Sequence, residues 1–393
     1  AGQIQVDERV GMKPDELASV IGREASLLLL RAACDGGQAL EDSLRELARQ
    51  EFLYELGGAD ETTYVFKHAL TQEVAYESLS PGRRHDLHEA VGHALEALYA
   101  DRLEEACDRL AYHYARTKDD DKAIHYLGMA AERFAAGYVH TEAVEALREA
   151  RARIARGGRA GARAGRILDF VLREAHSLHV LGRFEEALRL LQEHGELAEA
   201  LPDAARQGQY HFWLGRTHSV LGDHARTGPA VHRAAELARS CGDEATLGRA
   251  CFMLAYEDYW AGKPAEGIAR GREAIALLER TGERWWLGMT HWLVAMSCAP
   301  LGEFDQGAAA AGQANAVGEA IGDLRLQNYA AWTSGWIETA RGEWERGVAA
   351  CERGLARSRD PVNTAQATGY LALAHLEGGD ASRAVALLEQ AVS

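Results

Sequence analysis

The stretch YWAGKPAEGIARGREAIALLERTGERWWLGMTHWLVAMSCAPLGEFDQGAAAAGQANAVGEAIGD, residues 259–323, carries Gly262, Gly282, Gly302 and Gly322 at a constant spacing of 20 residues. Good helix formers fill the intervals, and the prolines stand only near the segment ends, at Pro264 and Pro300. A glycine accepts the left-handed conformation that closes a helix. The acidic residue that follows it at Glu283 and Asp323 suits the positive start of the next helix. Each 40-residue period therefore reads as two helices with a glycine turn after each. Outward from this stretch, Gly182, Gly222, Gly262, Gly302 and Gly342 form one series of period 40, and Gly242, Gly282 and Gly322 a second, half a period out of phase. Repetition at such a period marks a one-dimensional stack of helical units.

Small residues fall where paired helices must approach. The first helices carry Ala175, Gly215, Ala255, Ala295, Gly335 and Ala372, and the second helices answer with Ala187, Thr227, Gly267, Gly307, Gly347 and Ala384. This register resembles the tetratricopeptide pattern over residues 166–393, about six helix pairs, with a period of 40 in place of the usual ~34. The helices are correspondingly longer. The last pair turns at Gly379 and stops inside its second helix at Ser393, so we expect a piece of a longer chain. The expected fold is all-α: a tetratricopeptide-like helical solenoid preceded by a winged-helix-like domain with a small β-hairpin. Its expected parts are residues 1–80, the winged-helix-like domain; 81–165, a helical linker and first repeat-like helices; and 166–393, the array.

Composition agrees with helix, since 393 residues contain only 7 prolines. The formal charge of -16 repels phosphate backbones and anionic lipid, so neither nucleic acid nor membrane is an expected partner. Cys34, Cys107, Cys241, Cys251, Cys298 and Cys351 form no CxxC pair and read as small buried apolar residues of a cytoplasmic protein. Apolar runs such as residues 27–30 are far too short to span a bilayer.

In the first 80 residues, helical segments at 14–21, 24–34 and 39–49 precede extended runs at 52–56 and 64–67 joined by a Gly57-Gly58 turn. Three helices and then a hairpin is the order of a winged helix. Its third helix sets Glu41, Asp42 and Glu46 against Arg45 and Arg49, which suits protein contact better than DNA reading. Further helices are expected at residues 103–117, 121–137 and 141–156, the second capped by the Asp119-Asp120-Asp121 turn rather than forming a cation site. Arg151, Arg153, Arg156, Arg159, Arg163 and Arg166 interleave with Gly157, Gly158, Gly161 and Gly165, and this glycine density reads as a solvated loop or hinge.

VIGREASLLLLRAA at residues 20–33, LRELARQEFLYE at 44–55 and YVFKHALTQEVAYESL at 64–79 together resemble the region after the ATPase core of multidomain signalling ATPases of the adenylate/guanylate cyclase-associated or helix-turn-helix regulator type. RRHDLHEAVGHALE at 83–96 and the text of residues 122–150 continue that resemblance. It implies that ATP hydrolysis belongs to a longer parent, that the repeats sense an effector, and that this chain contacts an ATPase domain of that parent. No GxxxxGK[ST] loop is present in this sequence, and no GxSxG elbow. We expect no enzyme activity, no cofactor and no metal. His85 and His88 are close in helical register, but nothing supplies the supporting shell that a metal would need.

All eight tryptophans lie between residues 213 and 344. At equivalent positions of successive first helices stand Leu172, Phe212, Phe252, Trp292 and Trp332, and four residues later His176, Arg216, Tyr256, Met296 and Trp336. One reading buries these aromatics between neighbouring helices. The other places His176, Phe212, Arg216, Phe252, Tyr256, Trp292, Met296, Trp332 and Trp336 on the concave groove, where a protein, peptide or small-molecule effector would bind. The chain is thus expected to be an effector-sensing interaction scaffold; the alternative is an enzyme or nucleic-acid binder with an unrecognised site.

Overall fold

The computed structural model describes residues 13–34, 37–57, 62–157, 160–358 and 361–392. The chain divides into two compact units, Ala1–Arg183 and Phe184–Ser393.

In the first unit, α1 (Pro14–Ile21) begins at a proline, whose missing N–H costs nothing in the first turn. It is followed by β1 (Glu24–Ser26), α2 (Leu27–Ala33), α3 (Gly37–Arg49), β2 (Leu53–Gly57) and β3 (Thr62–Phe66). The strands form an antiparallel sheet in the order β1-β3-β2, with Leu53 opposite Phe66 and Ala25 opposite Tyr64. Residues 24–26 were expected to be helical. They are instead a strand, because the ladder with β3 supplies their backbone partners, and Ser26 then caps α2 by accepting a hydrogen bond from the Leu29 N–H at 3.2 Å. Gly58 of the expected turn lies outside the described residues.

Six more helices complete this unit: α4 (Ala69–Glu77), α5 (Pro81–Leu98), α6 (Leu103–Tyr114), α7 (Asp120–Ala136), α8 (His140–Arg156) and α9 (Ala160–Val180). Asp119 caps α7 through its side chain on the Lys122 N–H at 3.0 Å. In the arginine- and glycine-rich segment, residues 151–156 and 160–166 are helical rather than loop and Gly157 is a turn, while Gly158 and Arg159 lie outside the described residues. Arg151 and Arg153 of this segment, and Arg148 just before it, are held by carboxylates. Glu174, 1% exposed, takes Arg148 at 2.8 Å and Arg151 at 2.8 Å, and Arg153 pairs with Asp120 at 2.8 Å and Glu149 at 2.9 Å. Good intrinsic helix propensity of Arg and Ala then outweighs the glycines.

The second unit contains α10 (Phe184–Glu193) and α11 (Gly195–Ala200), then five pairs: α12 (Ala204–Val220) with α13 (His224–Cys241), α14 (Glu244–Trp260) with α15 (Pro264–Thr281), α16 (Arg284–Cys298) with α17 (Phe304–Ile321), α18 (Leu324–Ala340) with α19 (Trp344–Arg357), and α20 (Pro361–Glu377) with α21 (Ala381–Val392). A short 3-10 turn, Ala299–Leu301, follows α16. Gly262, at φ 76°, is one of the turn glycines that take the left-handed conformation required between paired helices. The small residues mark contact of backbone with backbone. A Cβ on Gly335 would stand 2.9 Å from the Gly347 carbonyl oxygen, and one on Gly267 would stand 3.2 Å from that of Ala255. First helices also pack on first helices, α12 on α14, α14 on α16, α16 on α18 and α18 on α20. The architecture is an all-α helical-repeat solenoid.

All six cysteines are free. Five are buried, but Cys241 is exposed, contrary to the expectation for all six, because it is the last residue of α13, where the helix runs out into solvent. No described helix is long and apolar enough to cross a membrane.

Candidate functional site

The 40-residue register puts one residue of each first helix at a corresponding height. Phe212 (0% exposed), Phe252 (3%), Trp292 (8%) and Trp332 (2%) form a buried row in the second unit, and Met296 is buried with them. Arg216, Tyr256 and Trp336 keep accessible surface. His176 stands apart from this set in the first unit, exposed on α9 with its ring 6.0 Å from that of His140.

The aromatic side chains make a wall in two groups, one around Trp286 and one around Trp332. The Trp286 ring lies 5.4 Å from Phe212 and 5.5 Å from Phe252. Trp292 stacks on Tyr329 at 5.0 Å and Trp332 on Tyr370 at 4.5 Å, with Trp336 5.5 Å from Tyr370. The indole N–H of Trp292 donates to the Thr333 hydroxyl at 3.0 Å, whereas that of Trp332 has no acceptor among the described residues. Stacked and edge-on pairs of this kind contribute about 0.5–1.5 kcal/mol each beyond area burial, so the row stiffens the array in the absence of any ligand.

Arg216 is set into this wall. Its guanidinium carbon lies 4.7 Å from the Trp286 ring centroid and 5.7 Å from that of Trp285, and Nη1 approaches the Met253 sulfur at 3.9 Å. Among the described residues no carboxylate pairs with it. Dehydration lowers its pKa to about 10, opposed only by the phenols of Tyr256 and Tyr329. The group is still charged at neutral pH. Tyr329 sits on α18, three first helices beyond Arg216 on α12. Tyr259 on α14 likewise contributes, after burial, to the rise of the Tyr370 pKa to about 12, although Tyr370 lies on α20. Side chains so far apart in the chain thus lie close enough to affect one another across one face of the successive first helices.

Trp285, Trp286, Tyr259, Tyr329 and Tyr370 belong to this face and were absent from the sequence-based set, which followed only two positions per helix. The clustering of tryptophans after residue 200 pointed to the first two, but nothing local marked the tyrosines.

The histidines of α5 have other partners. His85 Nδ1 meets the Arg116 carbonyl oxygen. His88 lies between Tyr76, whose hydroxyl is 3.1 Å from Nε2, and His113, Nδ1 to Nδ1 at 2.9 Å.

No family model matches the sequence, and no curated protein does. Solved structures do. The signal transduction ATPase with numerous domains from Pyrococcus horikoshii, which carries a tetratricopeptide repeat sensor, is similar with a TM-score of 0.52 at 14% identity, over 97% of this chain and 62% of that one. This chain thus spans less than two thirds of that ATPase. Aspartyl phosphate phosphatase F from Bacillus subtilis is similar with a TM-score of 0.53 at 11% identity, over 100% and 96% of the two chains. A Rap protein in complex with competence and sporulation factor gives 0.56 at 11% identity, over 68% and 76%. At these identities the likeness establishes the fold: a tetratricopeptide-like helical repeat.

Proposed function

We propose that the chain is a non-catalytic interaction and effector-sensing scaffold, and that the inner face of its second unit binds a peptide, protein or small effector. The observation that carries this reading is Arg216, a charged group held against aromatic rings with no carboxylate partner among the described residues. A dehydrated, uncompensated charge costs stability and is kept where a ligand supplies the missing partner. Tyr256, partly exposed near it, and Trp336, partly exposed on α18, offer the aromatic area from which binding hot spots are built. Phe212, Phe252, Trp292, Met296 and Trp332 form the supporting wall, and His176 is a separate contact on the first unit. A Rap protein similar in fold is complexed with competence and sporulation factor, which supports an effector-binding role.

In this reading residues 1–80 are a winged-helix-type domain that contacts protein. The Arg31, Arg45 and Arg49 cations around α3 are already neutralised by Glu41, Asp42 and Glu46. The chain works in the cytoplasm as part of a signalling ATPase or transcription regulator, with residues 81–165 linking that domain to the array at 166–393.

Panning a random heptapeptide library on the immobilised chain tests this. We expect enrichment of one sequence family, lost on a Tyr256→Ala/Trp336→Ala variant with an unchanged melting temperature. Equal retention of that family by the variant, or no enrichment at all, would overturn the reading.

A further inference from the structure

We infer that the inner face of the second unit recognises a carboxylate, borne by a ligand with an apolar body, through Arg216. The inference rests on the groove reading above and deepens it. Three observations carry it.

The first is an unmet hydrogen-bonding demand. A guanidinium presents a planar fork of N–H donors. Among the described residues, the donors of Arg216 find only the Met253 thioether at 3.9 Å, a weak acceptor. The rings of Trp285 and Trp286 attract the positive charge but accept no conventional hydrogen bond. A carboxylate satisfies that fork bidentately and cancels the charge, which is the strongest pairing a guanidinium makes.

The second is charge count. Several other arginines of this unit have a carboxylate partner, among them Arg270 with Asp258, Arg280 with Glu244 and Arg341 with Asp305. Arg216 has no such partner among the described residues, and the only groups that act on its charge favourably are the neutral phenols of Tyr256 and Tyr329. One guanidinium with phenols beside it matches a monoanion. A phosphate carrying nearly two charges would remain undercompensated there.

The third is the surrounding wall. Tyr256 and Trp285 keep accessible apolar area near the cation, backed by the buried rings of Phe212, Phe252 and Trp286. Such area strengthens an ion pair by excluding water and rewards an apolar body on the ligand.

The test uses N-acetyl-phenylalanine and its neutral isostere N-acetyl-phenylalaninamide as probes, titrated into the full chain while the Arg216 Nε–H resonance is followed by NMR. A third probe, Nα-acetyl-glutamyl-phenylalaninamide, carries its carboxylate on a side chain and so separates a chain-terminal from a side-chain source. For ligands of this size dissociation constants in the millimolar range are expected. The acid should shift the Arg216 resonance saturably and bind at least about tenfold more tightly than the amide, a preference worth about one charge-assisted hydrogen bond. The preference should vanish in Arg216→Gln and persist in Arg216→Lys, each verified by its melting temperature. Equal binding of acid and amide in the wild-type chain would sink the carboxylate inference while leaving the groove reading intact. So would a preference retained in Arg216→Gln, or tighter binding of phenyl phosphate than of the acid. If none of the probes perturbs Arg216 or the indole resonances of Trp285 and Trp286, both readings fail.

Discussion

Replacing Gly335 by alanine should destabilise the second unit, although alanine is the better helix former. In α18 the added Cβ would stand 2.9 Å from the Gly347 carbonyl oxygen and 3.2 Å from the Cys351 backbone nitrogen, with the Cys351 sulfur closer still. Two of these neighbours are backbone atoms of α19, so no rotamer change relieves the contact and the two helices must separate by about half an ångström. Overpacking of this kind costs about 1–3 kcal/mol, whereas the propensity gain is about 1 kcal/mol. The net loss should be up to about 2 kcal/mol. Gly312 is the control: it is exposed in the middle of α17, and an added Cβ there meets nothing within 4 Å, so Gly312→Ala should gain close to the full propensity term. All eight tryptophans lie between residues 213 and 344, so indole fluorescence reports unfolding of this unit specifically. For a unit of 393 − 183 = 210 residues, each kcal/mol moves the melting temperature by about 2–4 °C. The two substitutions should therefore shift it in opposite directions. Equal stabilisation by both would show that α18 and α19 are not in backbone contact, and the register argument would fall.

Three further outcomes follow from the geometry. His88 and His113 are buried to 0% and 3% exposure, and burial, with smaller contributions from cations such as Arg116, holds each near a pKa of about 3 against an ordinary value of 6.5. The unfolded chain therefore binds more protons below pH 6.5, and the stabilising contribution, complete above that pH, declines as pH falls toward 3. Between pH 7 and pH 5 this amounts to about 2 kcal/mol per imidazole. Urea midpoints of the first unit measured by hydrogen exchange should show the slope, and a His88→Leu/His113→Leu variant should flatten it; an unchanged slope would rule the pair out as its source. Trp292→Phe should cost about 1 kcal/mol more than Trp332→Phe in chemical denaturation, because only Trp292 gives up a hydrogen bond, to Thr333, and equal losses would contradict that assignment. Finally, the chain should show no sequence-specific footprint on duplex DNA at physiological salt, and a footprint lost on changing Arg45 and Arg49 would reverse the assignment of the first 80 residues to protein contact.

The repeat was legible because its determinants are local. A left-handed turn needs Gly262 whatever lies elsewhere, and Gly335 and Gly347 meet within one helix pair, so periodicity alone locates both. Other features depend on partners distant in the chain. Strand β1 is three residues long and exists because β3 pairs with it from about 40 residues downstream, a contact no local window contains. The arginines at 148, 151 and 153 lie next to a glycine-rich segment that suggests a loop, but Glu174 and Asp120 convert them into helix-stabilising ion pairs. The candidate site was half legible for the same reason. Register places Arg216, Tyr256 and Trp336 at related heights, while the electrostatic influence of Tyr329 on Arg216, or of Tyr259 on Tyr370, joins helices three repeats apart. Local pattern also does not separate a wall residue from a contact residue. Phe252 and Tyr256 are one helical turn apart, yet only the second keeps accessible surface.

The most direct test of the binding face is the set of indole N–H resonances recorded while an enriched heptapeptide is titrated into the chain. The account predicts that Trp286 and Trp336 move together with one dissociation constant. Trp344, on α19 and outside the wall of first helices, should stay in place. A peptide that saturates while moving Trp344, with Trp286 and Trp336 unperturbed, would place the binding surface elsewhere and contradict the account.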